Sequence, residues 1–243
     1  MTDGARPAFY ALRPGGWRDY VTLLHPPYTL WHLSYVVVGG CLAPSVSWSR
    51  LALTVLAFLL ALGVGAHALD ELAGRPLQTA IPRRVLVGLA VVSVAAACAI
   101  GIAVALDFSL WLLVLVAAGA FLVPAYNLEL VGGRFHTDLW FGLAWGAFPV
   151  LAGYVACAGE VAVETVLAAG WATLLSLAQR RLSTSVRRAR RGVEAVHGEL
   201  ELVGGGREPL TREALVAAPE AALRLLTWST VLVAATLAAL RLS

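Results

Sequence analysis

Apolar runs long enough to cross a lipid bilayer dominate this chain and leave few folds open to it. Seven such stretches occur, at residues 27–46, 50–69, 84–106, 108–127, 138–158, 161–178 and 221–241. A helix rises about 1.5 Å per residue, so roughly 20 residues cover a hydrocarbon core of ~30 Å. In lipid every backbone N–H and C=O must find its partner inside the protein, and a helix achieves this by itself. The expected fold is therefore all-α, an integral membrane bundle of about seven transmembrane helices. Composition agrees: 59% of residues are hydrophobic and 14% charged, against roughly 25% charged in a soluble domain.

The longest polar stretch, 179–219, is too short and too glycine-rich to bury a core of its own. One membrane domain is expected over 27–243, preceded by a cytoplasmic tail over 1–26, with 179–219 as an arginine-rich cytoplasmic loop. The tail has no continuous apolar stretch before a cleavage site, so no signal peptide is expected. The stretch 193–203 alternates apolar and polar residues and fits either an amphipathic helix on the membrane or a hairpin. Thr211 is placed to cap the helix that leads into the last span.

Charge sets the orientation. Arginines crowd the N-terminal tail (Arg6, Arg13, Arg18) and the second-to-third loop (Arg75, Arg83, Arg84). They recur at Arg134 and from Arg180 to Arg212. The alternate loops hold little beyond Arg50, Asp107 and Glu160, with Arg241 at the end. By the positive-inside rule the N-terminus lies in the cytoplasm and the C-terminus outside, as in a multi-pass plasma-membrane protein. All 18 basic residues are arginine, so Schiff-base chemistry on a lysine is excluded. The arginines sit at helix ends, where they meet lipid headgroups, and nucleic acid is not an expected partner. Cys41, Cys98 and Cys157 lie in apolar segments without metal-ligand spacing and read as packing residues.

Four polar groups of residues can carry chemistry. His67, Asp70 and Glu71 end the second apolar stretch, and spacings of three and four put His67 on the face of both acids. An imidazole and two carboxylates can hold a divalent cation such as Mg²⁺; alternatively the charges mark a helix end, with one acid paired to Arg75. Arg75, Pro76, Leu77, Gln78 and Thr79 read either as a phosphate clamp or as a membrane anchor. Tyr126, Asn127, Glu129, Arg134, His136 and Asp138 bracket the fourth-to-fifth loop, where interface anchoring or a Glu129–Arg134 pair are the simpler readings. In the run Arg180 to Arg191, Arg180 and Arg181 lie nearest the membrane and can stabilise a diphosphate leaving group. From Arg187 onward the expected role is binding anionic lipid. His25, His32, Trp31 and Tyr35 line the first span, and Trp145, Phe148 and Pro149 offer an aromatic wall and a kink in the fifth. Core packing is the default for these.

Three segments together resemble the UbiA-type intramembrane prenyltransferases. One is His25-Pro-Pro-Tyr-Thr-Leu-Trp-His-Leu-Ser-Tyr-Val-Val-Val-Gly39, similar to the family's Arg-Pro-x-Thr-Leu and apolar run, with His25 in the arginine's place. Another is Ala-Leu-Asp70-Glu-Leu-Ala-Gly-Arg75-Pro-Leu, similar to the Asp-rich motif and Asn-Arg-Pro-Leu. The last joins Tyr126-Asn-Leu to Asp138-Leu-Trp-Phe-Gly-Leu-Ala-Trp-Gly-Ala-Phe-Pro. The resemblance spans roughly residues 20–180. It implies a UbiA-like bundle that binds a prenyl diphosphate with Mg²⁺, releases diphosphate, and transfers or cyclises the isoprenoid chain, with a lipophilic acceptor and membrane lipid as partners.

By the same resemblance, His67, Asp70 and Glu71 are the metal ligands, and Asp70 and Glu71 the catalytic acids. Arg75, Arg180 and Arg181 hold the diphosphate. Tyr126, Asn127, Glu129 and His32 contact headgroup or acceptor. The chain departs from the family pattern where Ala66, His67 and Gly74 stand at Asn/Asp positions, where Glu129 replaces a lysine, and where 179–191 lacks any aspartate. It also has seven apolar stretches against the family's usual nine helices. The alternative is a non-catalytic lipid-binding or scaffolding protein of the same fold. A small transporter is disfavoured, because no inverted repeat or pair of interrupted helices is visible.

Overall fold

A computed structural model describes residues 6–243, of which about 74% of the chain is helical. The helices are α1 (Trp17–Leu23), α2 (Pro26–Leu42), α3 (Trp48–Leu72), α4 (Arg83–Asp107), α5 (Trp111–Asn127), α6 (Asp138–Ala158), α7 (Val163–Arg187) and α8 (Arg212–Leu242). Of these, α3, α4, α6 and α8 are long and apolar enough to cross a membrane, at 25, 25, 21 and 31 residues. Helix α5 is apolar but shorter. The molecule is an all-helical bundle with the surface chemistry of a membrane protein: Val91, Val92, Leu106, Trp111, Leu174 and Leu232 stay exposed, as lipid-facing side chains do.

Helix α2 is the central element. It packs against α6 and α8, while α3, α4 and α5 pack together, with α3 also against α2 and α6. The α2–α6 approach is close because glycines meet there. A Cβ on Gly39 would fall 2.0 Å from the Val150 carbonyl oxygen, and one on Gly153 2.0 Å from that of Val36. Small residues let helix backbones touch where lipid gives no hydrophobic drive for association. At the end of the bundle where α2 finishes, arginines cap helix C-termini. Arg241 donates to the carbonyls of Cys41 and Ala43 (2.8 and 3.0 Å), and Arg50 donates to that of Ala156 (2.8 Å). Cations there satisfy orphan carbonyls and oppose the helix dipole.

Two helices contain a wide π turn, Leu59–Ala66 in α3 and Leu143–Ala147 in α6. Both are rich in small residues, with Gly63 and Gly65 in one and Gly146 in the other. A π turn shifts the hydrogen-bond register, so side chains beyond it rotate to a new face. The two turns meet at a cluster of Leu62, Ala66, Val123, Tyr126, Ala144 and Trp145.

The polar segment 179–219 is not a loop throughout. Helix α7 continues past the apolar stretch to Arg187, and a π turn carries it on over Arg188–Gly192. Nothing between Gly170 and Gly192 breaks a helix, so the arginines lie on a helical face. The alternating stretch resolves as a hairpin, Glu199–Glu201 paired antiparallel with Arg207–Pro209. Thr211 Oγ1 accepts from Ala214 N at 3.1 Å, the expected cap of α8. Residues 6–26 fold onto the bundle: α1 lies there, and Asp19 accepts from Ala80 N at 2.9 Å.

Candidate functional site

A polar chamber of about 360 Å³ opens at the arginine-rich end of the bundle. Its walls come from the turn segment Pro7–Tyr10, the start of α2, the end of α3 with its following loop, the end of α5 with its following loop, α6, and α7 with the π turn that continues it. Seven of the ten residues expected from sequence line it: His32, His67, Asp70, Tyr126, Asn127, Glu129 and Arg180. A second cavity, of about 100 Å³ and almost wholly apolar, lies deeper among α3, α4, α5 and α6. Phe58, Val94, Gly101, Val116, Val123 and Phe148 contribute to its wall. Leu62 and Trp145 line both cavities. Each belongs to one of the π turns, so the boundary between polar and apolar space is made where the two helices change register.

Histidine dominates the chamber: four of the five in the chain line it. His32 Nδ1 lies 2.7 Å from the Trp145 carbonyl, His67 Nδ1 3.0 Å from that of Gly63, and His136 Nδ1 3.0 Å from that of Tyr126. A carbonyl can only accept, so each Nδ1 carries a proton, which in a neutral ring leaves Nε2 as the acceptor. Two of those carbonyls belong to the π turns. His25 stacks on His67 with centroids 4.0 Å apart, and Tyr10 Oη lies 2.8 Å from His25 Nδ1. Burial first, and then the neighbouring His67, holds His25 well below the usual imidazole range. Burial also pushes Tyr10 well above the usual phenol range. Both are neutral at physiological pH.

Arg180 is fixed in the wall. Its Nε donates to Asp138 Oδ1 at 2.5 Å and its Nη1 donates to the Tyr126 hydroxyl. Its guanidinium lies over the Phe141 ring at 5.1 Å. The Tyr126 ring stacks on His136 at 4.5 Å. Asn127 bonds back to the Val123 carbonyl (2.7 Å) and is buried. Glu129 is exposed at the rim and lies 3.9 Å from His136 Nδ1; it is His136, not Arg134, that it approaches.

Three expected site residues point elsewhere. Glu71 is 1% exposed and faces away from the chamber. Its Oε2 accepts from Leu77 N (3.0 Å), and its Oε1 accepts from Thr79 N (2.8 Å) and Thr79 Oγ1 (2.9 Å). It is the post around which the loop after α3 folds. Arg75 sits in that loop, exposed, with φ of 49°, and donates to the Thr79 carbonyl at 2.6 Å; it makes no pair with Asp70 or Glu71. The Arg181 side chain is 83% exposed, outside the chamber, 3.7 Å from Asp138.

The expected magnesium ligands therefore do not converge. Among the described residues no three His, Cys, Asp or Glu side chains form a metal-binding group. The oxygens of Glu71 are occupied by loop donors, and of the expected trio only His67 and Asp70 face the chamber. The residues present do not fit a multi-carboxylate magnesium site.

Sequence reasoning passed over Gln179 and Ser183 and assigned Arg187 and Arg191 to anionic lipid, yet all four line the chamber. A signal was present: they recur every four residues, a spacing that places them along one stripe of α7 and its π turn. Tyr10 gave no such signal, because its place depends on the chain folding back onto the bundle. No family model, no curated protein and no solved structure matches this chain.

Proposed function

We propose that this protein is an intramembrane prenyltransferase-like enzyme of the UbiA type, acting on a prenyl diphosphate. One observation carries the reading: a cationic, histidine-lined chamber meets a narrow apolar cavity at Leu62 and Trp145. An amphiphile with a phosphorylated head and a hydrocarbon tail matches that pair of cavities. Seven helices cross the membrane in this reading, with the chamber and N-terminus in the cytoplasm and the C-terminus outside.

The chemistry follows from the walls. Ionisation breaks the bond between the allylic carbon and oxygen, and the electron pair leaves with diphosphate. Cationic groups at the chamber mouth stabilise that developing charge. The allylic cation forms near Trp145, Phe141 and Tyr126, whose π faces attract positive charge while the apolar wall excludes water. A lipophilic acceptor, or a double bond of the same chain, then attacks the cation. The proton it loses has acceptors at hand in Asp70 and the Nε2 atoms of His32 and His67.

The test is diphosphate release from prenyl diphosphates of several lengths by purified protein in nanodiscs, with Leu62→Trp as the blocked control. Release that wild type performs and Leu62→Trp loses supports the reading; no release with any donor refutes catalysis. A second reading, a non-catalytic lipid-binding protein of the same fold, is favoured by the enclosure of Glu71 away from the chamber. It predicts that prenyl diphosphates bind, raise thermal stability, and remain intact.

A further inference from the structure

The arginines of α7 and its π turn divide into two groups. Arg180 is held by Asp138 and Tyr126. Arg190 makes a two-pronged pair with Glu220 of α8, at 2.5 and 3.0 Å, with its side chain 18% exposed and that of Glu220 9%. That pair clamps the π turn after α7 against α8. Arg187 and Arg191, one turn apart, line the chamber mouth. Among the described residues neither has a carboxylate within salt-bridge distance. Arg187 Nη2 donates to Thr184 Oγ1 (3.0 Å), and Arg191 Nε donates to the Pro7 carbonyl (3.0 Å), which leaves most of their donors free.

We infer that Arg187 and Arg191 hold the diphosphate head without a metal ion, in the place of the magnesium site that the resemblance would imply. This rests on the prenyl diphosphate reading above. Two guanidinium groups carry together the same double positive charge as one magnesium ion. Each offers up to five N–H donors in a planar fork that fits phosphate oxygens in pairs. A carboxylate cage would serve to hold a cation, and here the chamber presents only Asp70 and Glu129, on separate elements, among its described lining residues. Gln179 and Ser183 continue the stripe inward with neutral groups that can hydrogen-bond the bridging oxygens. The bond from Arg191 to Pro7 ties the segment Pro7–Tyr10 to the same guanidinium, so a bound head is covered by that segment.

The experiment uses the full chain in phosphatidylcholine nanodiscs. Affinity for farnesyl diphosphate and for inorganic diphosphate is read by calorimetry, with excess EDTA or with added Mg²⁺. Phosphatidylglycerol nanodiscs form a third arm, to separate a lipid phosphate from a soluble one. The expected result is equal farnesyl diphosphate affinity with EDTA and with Mg²⁺. Arg187→Gln alone, and with Arg191→Gln, weakens it by roughly 10- to 100-fold, the loss of charge-assisted hydrogen bonds. The exposed Arg181→Gln leaves it within about threefold, because it lies outside the chamber and removes no such bond. Because Arg187 is exposed, its variant keeps the wild-type melting temperature, which checks folding. Binding that requires Mg²⁺ and is lost in Asp70→Asn overturns the metal-free head site while leaving the prenyl diphosphate reading intact. No binding of farnesyl diphosphate in either buffer, or phosphatidylglycerol alone stabilising the protein, overturns both.

Discussion

Glu71→Gln separates a structural acid from a metal ligand. The carboxyl of Glu71 receives three donors, two of them backbone N–H groups of the loop after α3. That loop includes two non-glycine residues in the left-handed region, Arg75 at φ 49° and Gln78 at φ 57°. Each such residue costs roughly 1–2 kcal/mol, so the turn depends on the bonds that hold it. Glutamine retains one oxygen, enough for Thr79. Its amide nitrogen then meets the N–H of Leu77, and one buried donor goes unpaired. An unpaired buried donor costs about 1–3 kcal/mol, and for a chain of this size 1 kcal/mol moves the melting temperature by roughly 2–4 °C. A fall of about 4–8 °C is expected for a mid-range loss of ~2 kcal/mol. The assay is the melting of purified wild type, Glu71→Gln and Asp70→Asn in the same detergent, followed by farnesyl diphosphate binding. Glu71→Gln lowers the melting temperature and retains ligand affinity once folded. A melting temperature unchanged within about 1 °C, together with lost affinity, would refute the reasoning and return Glu71 to the site.

Two further outcomes follow from the packing and from burial of an imidazole. Gly153→Ala forces α2 and α6 apart, because its Cβ would meet the Val36 carbonyl at 2.0 Å; the loss is about 1–3 kcal/mol. Gly88→Ala, with nothing within 4 Å, is neutral or stabilising in the same melting experiment. His25 has a folded pKa well below 6.5, so below that pH the unfolded chain binds a proton that the folded chain does not. Stability is full above pH 6.5 and falls as pH drops beneath it, by at most about 1.4 kcal/mol per pH unit. Asparagine also tolerates the φ of 46° at this position. Melting curves from pH 5 to 8 are therefore expected to show a shallower slope for His25→Asn than for wild type, and equal slopes would contradict the assignment.

Sequence alone reveals a helical protein built to meet lipid and locates each helix from α2 to α8, though not α1. Hydropathy is a sum over neighbours in the chain, so each apolar stretch announces its helix, and the cap at Thr211 is equally local. Sequence also placed polar residues at one end of the bundle, and His32, His67, Asp70, Tyr126, Asn127, Glu129 and Arg180 do meet there. What each of those groups faces was decided only in three dimensions. Consecutive residues on a helix point about 100° apart, so Asp70 enters the chamber while Glu71, beside it, turns into a loop six to eight residues further on. The π turns at Leu59–Ala66 and Leu143–Ala147 rotate everything beyond them, and no hydropathy pattern records that shift. Arg187 and Arg191 differ from Arg181 and Arg190 only in which neighbours the fold brings to them. Side-chain charge is a property of the residue, whereas its free or occupied state is a property of its surroundings.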